Sequence, residues 1–440
     1  MLSQPGRPPR LTRRQLLRLT LLAAAPLGLA ACAQATPVGA PTGGATAPAT
    51  AAAAPTTASA ATRPPLGPIK VGYISGFSGL YSAEVAAQFQ GAQYALDQVN
   101  AQGGVLGRQV ALVQRDDQLR PDEATRRTQE LVESEKVDFV VGSLSAATQL
   151  AINAVTKKAG VIFVSLSQSD KITAQPDFSK YTFHESLTPR QTSSVVATWA
   201  LQNLGKRPYL LVADYAFGHE HRDGWLRQIQ AAGGTDAGVD LHPLGAPDFS
   251  GFFPKIMAAK PDFLVLANFG KDTLKSAQQA VSFGVKQQMP VVISVTSTET
   301  IQEGGADVFG GMYMGGSWFW TLADRIPTSR TFVDGFRARF NRPPSDYGGY
   351  AYSGTLELLQ AVERAGSTEA DKVVAALEGH EYDHYKGKQV WRACDHQSIQ
   401  DVFVYKIKQR FEDQWNILDV IAQEGGEGIV ATCAEQGHTG

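Results

Sequence analysis

The stretch that decides the fold is Ile69-Lys70-Val71-Gly72-Tyr73-Ile74. Its β-branched and aromatic residues are typical of a short buried strand. A helix pattern follows, in which apolar residues recur at steps of three and four and therefore share one face. These residues are Val85, Phe89, Ala92, Leu96 and Val99, and a glycine-rich turn over 103–107 follows them. A strand that leads into such a helix predicts the first unit of a parallel sheet.

The same alternation continues along the chain in two series. The first series has strands predicted over 110–113, 137–141 and 161–164, separated by helices over 122–133 and 148–158. The second follows a helix over 191–203 and has strands predicted over 209–213, 239–241, 262–267 and 291–295. Parallel strands need helical crossovers, which cover both faces of the sheet. The sequence therefore predicts an α/β fold of two doubly wound parallel-sheet lobes with a cleft between them.

The N-terminus has the layout of an export signal: basic residues, then an apolar run, then small residues. Leu29-Ala30-Ala31-Cys32 resembles the bacterial lipobox, which implies cleavage before Cys32 and lipid on its sulfur. The alternative is an ordinary cleaved signal with a chance cysteine. The segment 12–18, with Arg13 and Arg14, also resembles a twin-arginine export signal. We expect residues 1–31 to be a signal peptide, and residues 32–67 to be the lipidated cysteine and a flexible tether rich in Ala, Thr and Pro.

Composition limits the partners and the location. The formal net charge is −2 and no basic stripe is present, so nucleic acid is not an expected partner. After the signal, no segment has the roughly 18 apolar residues that a membrane span requires. We therefore expect an extracytoplasmic protein held at the cell membrane by its lipid anchor. If Cys32 carries lipid, Cys394 and Cys433 remain as a pair, for which we expect a disulfide; the alternative is two free thiols.

Enzyme signatures are missing from the sequence. Gly76-Phe77-Ser78-Gly79 is neither a nucleophile elbow, nor a phosphate loop, nor a dinucleotide-binding fingerprint. His219-Glu220-His221 suggests a metal site, but neighbours two apart diverge on a helix, so we expect a solvated helix start. Asp383, His384, Asp395 and His396 are expected at the surface. We predict no catalysis, no metal and no cofactor.

Small polar residues follow three strands of the first series. The three loops are 75–79, 142–148 and 165–170, and open parallel sheets bind ligands at this edge. Hydroxyls and free N–H groups at helix starts suit a carboxylate or another small polar group, although the same residues also cap helices. Aromatic residues near predicted strand ends can form an apolar wall for a small ligand, although each alone can also be a core residue. They are Phe77, Tyr81, Phe217, Phe269, Trp318 and Trp320.

The chain resembles the branched-chain amino-acid-binding family of solute-binding proteins for ABC transporters, which has the type I periplasmic-binding fold. The matching stretches are 69–72 with 78–79, 91–107, 140–143, 214–218, 260–262, 343–344 with 349–350, and 392–397. The resemblance implies two lobes joined by a three-crossover hinge. By analogy, the first lobe takes residues 68–188 and 318–396, and the second takes 189–317 and 397–440. The lobes close around the ligand, and the ligand favours the closed state.

The resemblance also implies where the ligand binds. The serine with which amino-acid-binding relatives hold the ligand carboxylate corresponds to Ala146, and Ser145 is the nearest hydroxyl. Their acidic partner for the ligand ammonium has no counterpart in the loop that contains Thr296, unless a gap brings Glu299 into register. We therefore expect a small carboxylate or amide with an apolar or aromatic body, ahead of a free branched-chain amino acid. The expected site is Ser145, Ser167, Gln168 and Ser169 on one wall, Phe217, Phe269 and Thr296 on the other, and Tyr81 and Trp318 at the rim.

The predicted function is capture of a small solute for an ABC importer. The expected partners are this ligand, the permease subunits and the membrane, and the protein is expected to be a monomer. A ligand-sensing subunit that presents the solute to a signalling receptor is the alternative, with the same fold. An enzyme on this scaffold is a third hypothesis, for which no nucleophile and base are visible.

Overall fold

The computed structural model describes residues 67–438, and the predicted signal, Cys32 and nearly all of the tether lie outside this range. The first sheet has five parallel strands in the order β2-β1-β3-β4-β5. Its strands are β1 Ile69–Ser75, β2 Val110–Asp116, β3 Phe139–Gly142, β4 Ile162–Ser165 and β5 Thr182–His184. The first four were predicted from the sequence; the three-residue β5 was not. The sheet is the centre of the first lobe.

The second sheet has seven strands in the order β15-β14-β10-β9-β8-β6-β7. Its parallel strands are β6 Tyr209–Ala213, β7 Gly238–His242, β8 Leu264–Ala267, β9 Val291–Ile293 and β10 Tyr313–Gly316. Two antiparallel strands, β14 Val402–Ile407 and β15 Leu418–Glu424, extend one edge as a hairpin. A separate three-stranded antiparallel sheet contains β11 Glu381–Tyr382, β12 Gln389–Trp391 and β13 Ser398–Ile399.

Twelve α-helices lie within residues 67–438. They are α1 Ser82–Ala101, α2 Pro121–Gln129, α3 Ala146–Ala159, α4 Pro189–Asn203, α5 Ala216–Ala231, α6 Phe253–Ala259, α7 Lys271–Ser282, α8 Val285–Gln288, α9 Thr298–Phe309, α10 Pro327–Phe340, α11 Asp346–Ala365 and α12 Ala370–Leu377. Among these described residues, no helix combines the length and apolar character that a membrane span requires.

The chain passes between the two lobes three times. It leaves the first sheet after β5, and it returns after β10 to form α10, where Arg339 pairs with Asp97 of α1 at 2.8 Å. It crosses again between β13 and β14. The two lobes with parallel-sheet cores and the three-crossover hinge that the sequence analysis predicted are therefore confirmed.

Helices α1 and α11 pack in unusually close contact within the first lobe. A β-carbon at Gly91 would lie 1.9 Å from the carbonyl oxygen of Gly348, so only glycine permits this approach. The hydroxyl of Tyr352 also donates to Gln98 at 2.9 Å. This packing fixes the first turn of α11, which carries Tyr347 toward the cleft.

The last residues of the described chain contact the first lobe. A disulfide joins Cys394 to Cys433. The backbone N–H of Gln175 donates to the carbonyl of Gln436 at 2.9 Å, and the Gln436 amide donates to Thr173 at 3.0 Å. The same segment also contacts the second lobe, since Glu435 pairs with Arg190 of α4 at 2.9 Å. The expected division, which put all of 397–440 in the second lobe, therefore stays a prediction.

Candidate functional site

A small cavity lies where the carboxyl ends of strands from both sheets face each other. The first lobe contributes the loops after β3 and β4 and the first turn of α11, and the second lobe contributes the loops after β6 and β8. The lining residues are Leu144, Ala146, Ser167, Gln168, Tyr215, Phe217, Phe269 and Tyr347. The space open to the centre of a water-sized molecule is about 10 Å³, enough for about one water. The lobes are therefore closed onto each other in this structure.

The first lobe supplies the polar part of the lining, beside the apolar Leu144 and Ala146. Ser167 and Gln168 follow β4 and line the cavity directly. Ser145 is the N-cap of α3, but its side chain makes no capping hydrogen bond, so the first N–H groups of this 14-residue helix are not capped by it. Ala146 lies at the first helical position and also lines the cavity. This wall can offer hydrogen-bond donors and the positive end of a helix dipole to an oxygen-bearing group.

The wall from the second lobe is aromatic. The rings of Phe217 and Phe269 have centroids 6.1 Å apart, and Tyr347 of the first lobe lies 5.3 Å from Phe269. The ring of Tyr81 packs edge-on against Phe269 at 5.2 Å, behind the lining surface. Together these rings form an apolar enclosure suited to a flat or branched hydrocarbon group.

Glu84 accepts hydrogen bonds that cross from one lobe to the other. The carboxylate of Glu84 in α1 accepts from the hydroxyl of Ser297 at 2.8 Å and from that of Thr300 at 2.7 Å, both at the start of α9. Burial raises the pKa of Glu84, and these two hydroxyls oppose the shift. Both of these hydrogen bonds to Glu84 therefore connect the two lobes.

A second acidic side chain, Glu220, also accepts hydrogen bonds between the lobes. Glu220 of α5 accepts from the backbone N–H of Asp170 at 2.5 Å and from the hydroxyl of Ser169 at 3.3 Å. Burial and the neighbouring Asp170 raise the pKa of Glu220 to about 8. The loop after β4 therefore lines the cavity with its first residues and contacts α5 with its next ones.

The structure brings together four of the nine residues predicted to bind ligand: Ser167, Gln168, Phe217 and Phe269 all line the cavity. Ser145 lies between two lining residues. The other predicted residues are not among the lining residues. Ser169 faces Glu220, and Thr296 is buried in the loop after β9.

Tyr81 and Trp318, predicted at the rim, are not among the residues that line this cavity. The Tyr81 hydroxyl bonds Tyr215. Trp318 is buried in the first lobe, where its indole N–H donates to Ser329 at 2.7 Å and its ring packs 5.1 Å from Tyr385. Its position directly after β10 suggested the cleft, but the chain turns there into the hinge.

Sequence reasoning missed several residues at the site. Tyr215 and Tyr347 line the cavity. Tyr215 is close to the predicted Phe217 in the same loop, and Tyr347 lies between the family-like pairs 343–344 and 349–350, so a nearby signal for each was present in the sequence. Their orientation follows from the packing of α5 and α11, which the sequence pattern does not specify.

The prediction of a solvated helix start at His219-Glu220-His221 is wrong for two of the three residues. His219 is partly exposed and pairs with Asp214 at 2.8 Å, but Glu220 is only 8% exposed and His221 is fully buried. The α5 face that carries them meets the loop after β4 of the other lobe. Contact between lobes, which no local pattern reveals, causes this burial.

Two other residues expected at the surface are also buried. Asp395 holds Arg392 through a hydrogen bond of 2.6 Å, and the ring of His396 stacks on Phe183 with centroids 4.1 Å apart. Within residues 67–438, the His, Cys, Asp and Glu side chains form no group of three suited to a metal ion.

The comparisons with known proteins agree with this geometry. The family described as "Periplasmic binding protein" matches residues 68–413, so the chain belongs to that family of solute-binding proteins, which are extracytoplasmic and are not enzymes. The Leu/Ile/Val-binding protein BraC3 of Rhizobium johnstonii is 26% identical over 345 residues, covering 77% of this chain and 91% of the relative.

Two solved structures are similar along most of the chain. The amino acid ABC transporter substrate-binding protein from Pseudomonas fluorescens Pf-5 has a TM-score of 0.79 and 25% identity, covering 85% of this chain and 99% of that one. A periplasmic binding protein from Burkholderia mallei has a TM-score of 0.77 and 28% identity, covering 84% and 97%. These similarities support a solute-binding role for this chain.

Proposed function

We propose that this protein captures a small carboxylate or amide with an apolar or aromatic body in the cleft and delivers it to the permease of an ABC importer. The observation that supports this most directly is the composition of the cavity wall. Hydrogen-bonding side chains and an uncapped helix start lie on one side, aromatic rings lie on the other, and no acidic residue is among the eight that line it. An oxygen-bearing head and an apolar body fit these two walls.

Glu84, Glu220 and Glu299 already have partners. Asp346, beside the lining Tyr347, has a carboxyl oxygen without a hydrogen-bond partner among the described residues, but burial raises its pKa to about 8, which keeps it mostly protonated near pH 7. These observations argue against an ammonium group in the ligand. Glu84 accepts from two hydroxyls and Glu220 accepts from a backbone N–H and a hydroxyl. Glu299, the residue that a gap would bring into the family register, lies 3.4 Å from the guanidinium of Arg342. A buried ammonium without a carboxylate partner is costly, so a free α-amino acid is a poorer fit than its deaminated counterpart.

The lipid anchor and the twin-arginine export route are part of the same proposal. Their support is the sequence Leu29-Ala30-Ala31-Cys32 and the paired arginines before it. Lipid chains gain about 0.8 kcal/mol per buried methylene, which holds a carrier near its permease. Cys32→Ser should release the protein from membranes into the soluble fraction, as measured by fractionation. Membrane retention of Cys32→Ser equal to that of the unmodified chain would contradict the anchor.

The proposed ligand class can be tested with whatever small molecule the protein retains through purification. The protein is purified without added ligand and denatured, and the released small molecules are identified by mass spectrometry. Each candidate is then added back to protein refolded without ligand, and the shift in thermal midpoint is measured. We expect a small carboxylate or amide that raises the midpoint. Release of a cofactor, or of a free amino acid that gives the largest shift, would contradict the proposed ligand class.

A further inference from the structure

Gln168 is a lining residue whose amide is held from behind by the second lobe. Its Oε1 lies 3.3 Å from Nε2 of His221 in α5. The His221 ring is fully buried and packs against the lining residue Phe217 with centroids 4.4 Å apart. The amide of Gln168 is therefore fixed at one end by a residue that does not itself line the cavity.

The charge and the tautomer of His221 decide which end of the Gln168 amide is held. Burial lowers the pKa of His221 to about 3, so the ring is neutral near pH 7 and carries one N–H. If that proton is on Nε2, it donates to Oε1 of Gln168 and the amide NH₂ is free for the cavity. If it is on Nδ1, Nε2 becomes an acceptor, and the amide would have to turn its NH₂ away from the cavity toward the ring.

The surroundings of Nδ1 distinguish these two arrangements. Within residues 67–438, the buried Nδ1 of His221 has no hydrogen-bond partner. A buried N–H without an acceptor is rarer in proteins than a buried acceptor that lacks a donor. The proton is therefore favoured on Nε2, where Gln168 accepts it.

We infer that His221 is a positioning residue that holds the Gln168 amide with its NH₂ toward the cavity, so that the site selects ligands by an acceptor oxygen. This inference rests on the proposed function, because it assigns a determinant of specificity to the same cavity. It also explains why a buried histidine lies behind an aromatic wall: the ring supplies one directed donor without adding charge.

The tautomer can be measured directly on the purified protein. Uniform labelling with ¹⁵N-histidine and a long-range ¹H–¹⁵N spectrum distinguish Nε2–H from Nδ1–H in a neutral ring. We expect the His221 signal to show the proton on Nε2 and to remain neutral from pH 5 to pH 8. A proton on Nδ1 would overturn the inference, whatever the protein binds.

Variants test the consequence for specificity. His221→Phe keeps a ring but removes the donor, and it should weaken binding of benzoate about ten-fold, because a hydrogen bond to a charged ligand is no longer positioned. His221→Gln places an amide donor near the position of Nε2 and should restore most of the affinity. His219→Phe, two residues earlier on the exposed side of α5, is the matched control and should bind as the unmodified protein does.

The outcomes separate this inference from the proposed function. If the unmodified protein binds none of the carboxylates or amides tested, the proposed function fails, whereas the tautomer measurement still decides the inference. Equal affinity of His221→Phe and the unmodified protein for benzoate would overturn the inference. If His221→Phe does not fold, Gln168→Glu replaces the NH₂ by an acceptor oxygen and should abolish benzoate binding; retained binding by this variant would also overturn it.

Discussion

The hydroxyl oxygens of Tyr81 and Tyr215 lie 2.9 Å apart across the cleft, one from each lobe. Tyr81 precedes α1 of the first lobe, and Tyr215 precedes α5 of the second. The Tyr81 ring also packs on Phe269, which lines the cavity. The side chain of Tyr81 therefore takes part in an interlobe hydrogen bond and also packs on a residue that lines the cavity. Closure of the lobes and contact with the ligand are physically connected through it.

Tyr81→Phe should weaken ligand binding about two- to ten-fold, because it removes one hydrogen bond that exists only when the lobes are closed. Calorimetric titration of the released ligand measures this effect. Tyr209→Phe is the matched control, since its hydroxyl donates to Asp240 at 2.6 Å within the second lobe. Equal loss of affinity in both variants would show that the Tyr81 contact has no specific part in closure.

Glu220 makes stability depend on pH. Burial and Asp170 raise its pKa to about 8 from the ordinary value of 4.5, and Lys171 opposes the shift. Below pH 4.5 the carboxyl is protonated in both folded and unfolded chains, and its contribution to stability is fully present. As pH rises from 4.5 to about 8, the unfolded chain releases the proton more readily than the folded chain does, so this contribution to stability is lost.

The free energy of unfolding should therefore fall more steeply between pH 5 and pH 8 in the unmodified protein than in Glu220→Gln. Urea unfolding at several pH values gives both curves. Asp117 and Asp346, with pKa values raised by burial to about 6 and about 8, titrate in both proteins, so the difference between the curves reports on Glu220 together with its neighbour Asp170. Parallel curves would show that the interlobe carboxyl does not take up a proton.

The disulfide between Cys394 and Cys433 should stabilise the protein and hold the C-terminal segment on the first lobe. The cysteines are 39 residues apart, and closing a loop of that length is worth about 4 kcal/mol in the chain-entropy model. Alkylation of the unfolded, unreduced protein followed by mass analysis should leave both cysteines unmodified. Cys394→Ala with Cys433→Ala should unfold at lower urea. Two alkylated thiols without reductant would contradict the pairing.

Much of the fold could be predicted because each strand and helix carries a local signal. Val71, Val141 and Val164 lie in short apolar runs, and the amphipathic pattern of α1 is visible residue by residue. The residues at which strands end could be predicted from the same local signals. The sequence therefore placed Ser167, Gln168, Phe217 and Phe269 at strand ends, and the structure brings these four residues together at the cavity.

The rest of the site depends on contacts between distant segments. Tyr347 reaches the cavity only because α11 packs closely on α1, and Glu220 and His221 are buried only because the lobes meet. Trp318 was expected at the rim because it follows a strand, but the hinge carries it into the first lobe. No periodic pattern within one element carries this information.

Calorimetric titration with leucine and 4-methylpentanoate tests the central claim most directly, because the two compounds differ only in the α-amino group. We predict that 4-methylpentanoate or benzoate binds more tightly than leucine, and that Ser167→Ala and Gln168→Ala each weaken the carboxylate about ten-fold or more. Trp318→Phe should leave the affinity unchanged. Tight binding of leucine or valine, with the same affinity in Ser167→Ala and Gln168→Ala, would contradict both the ligand class and the position of the site.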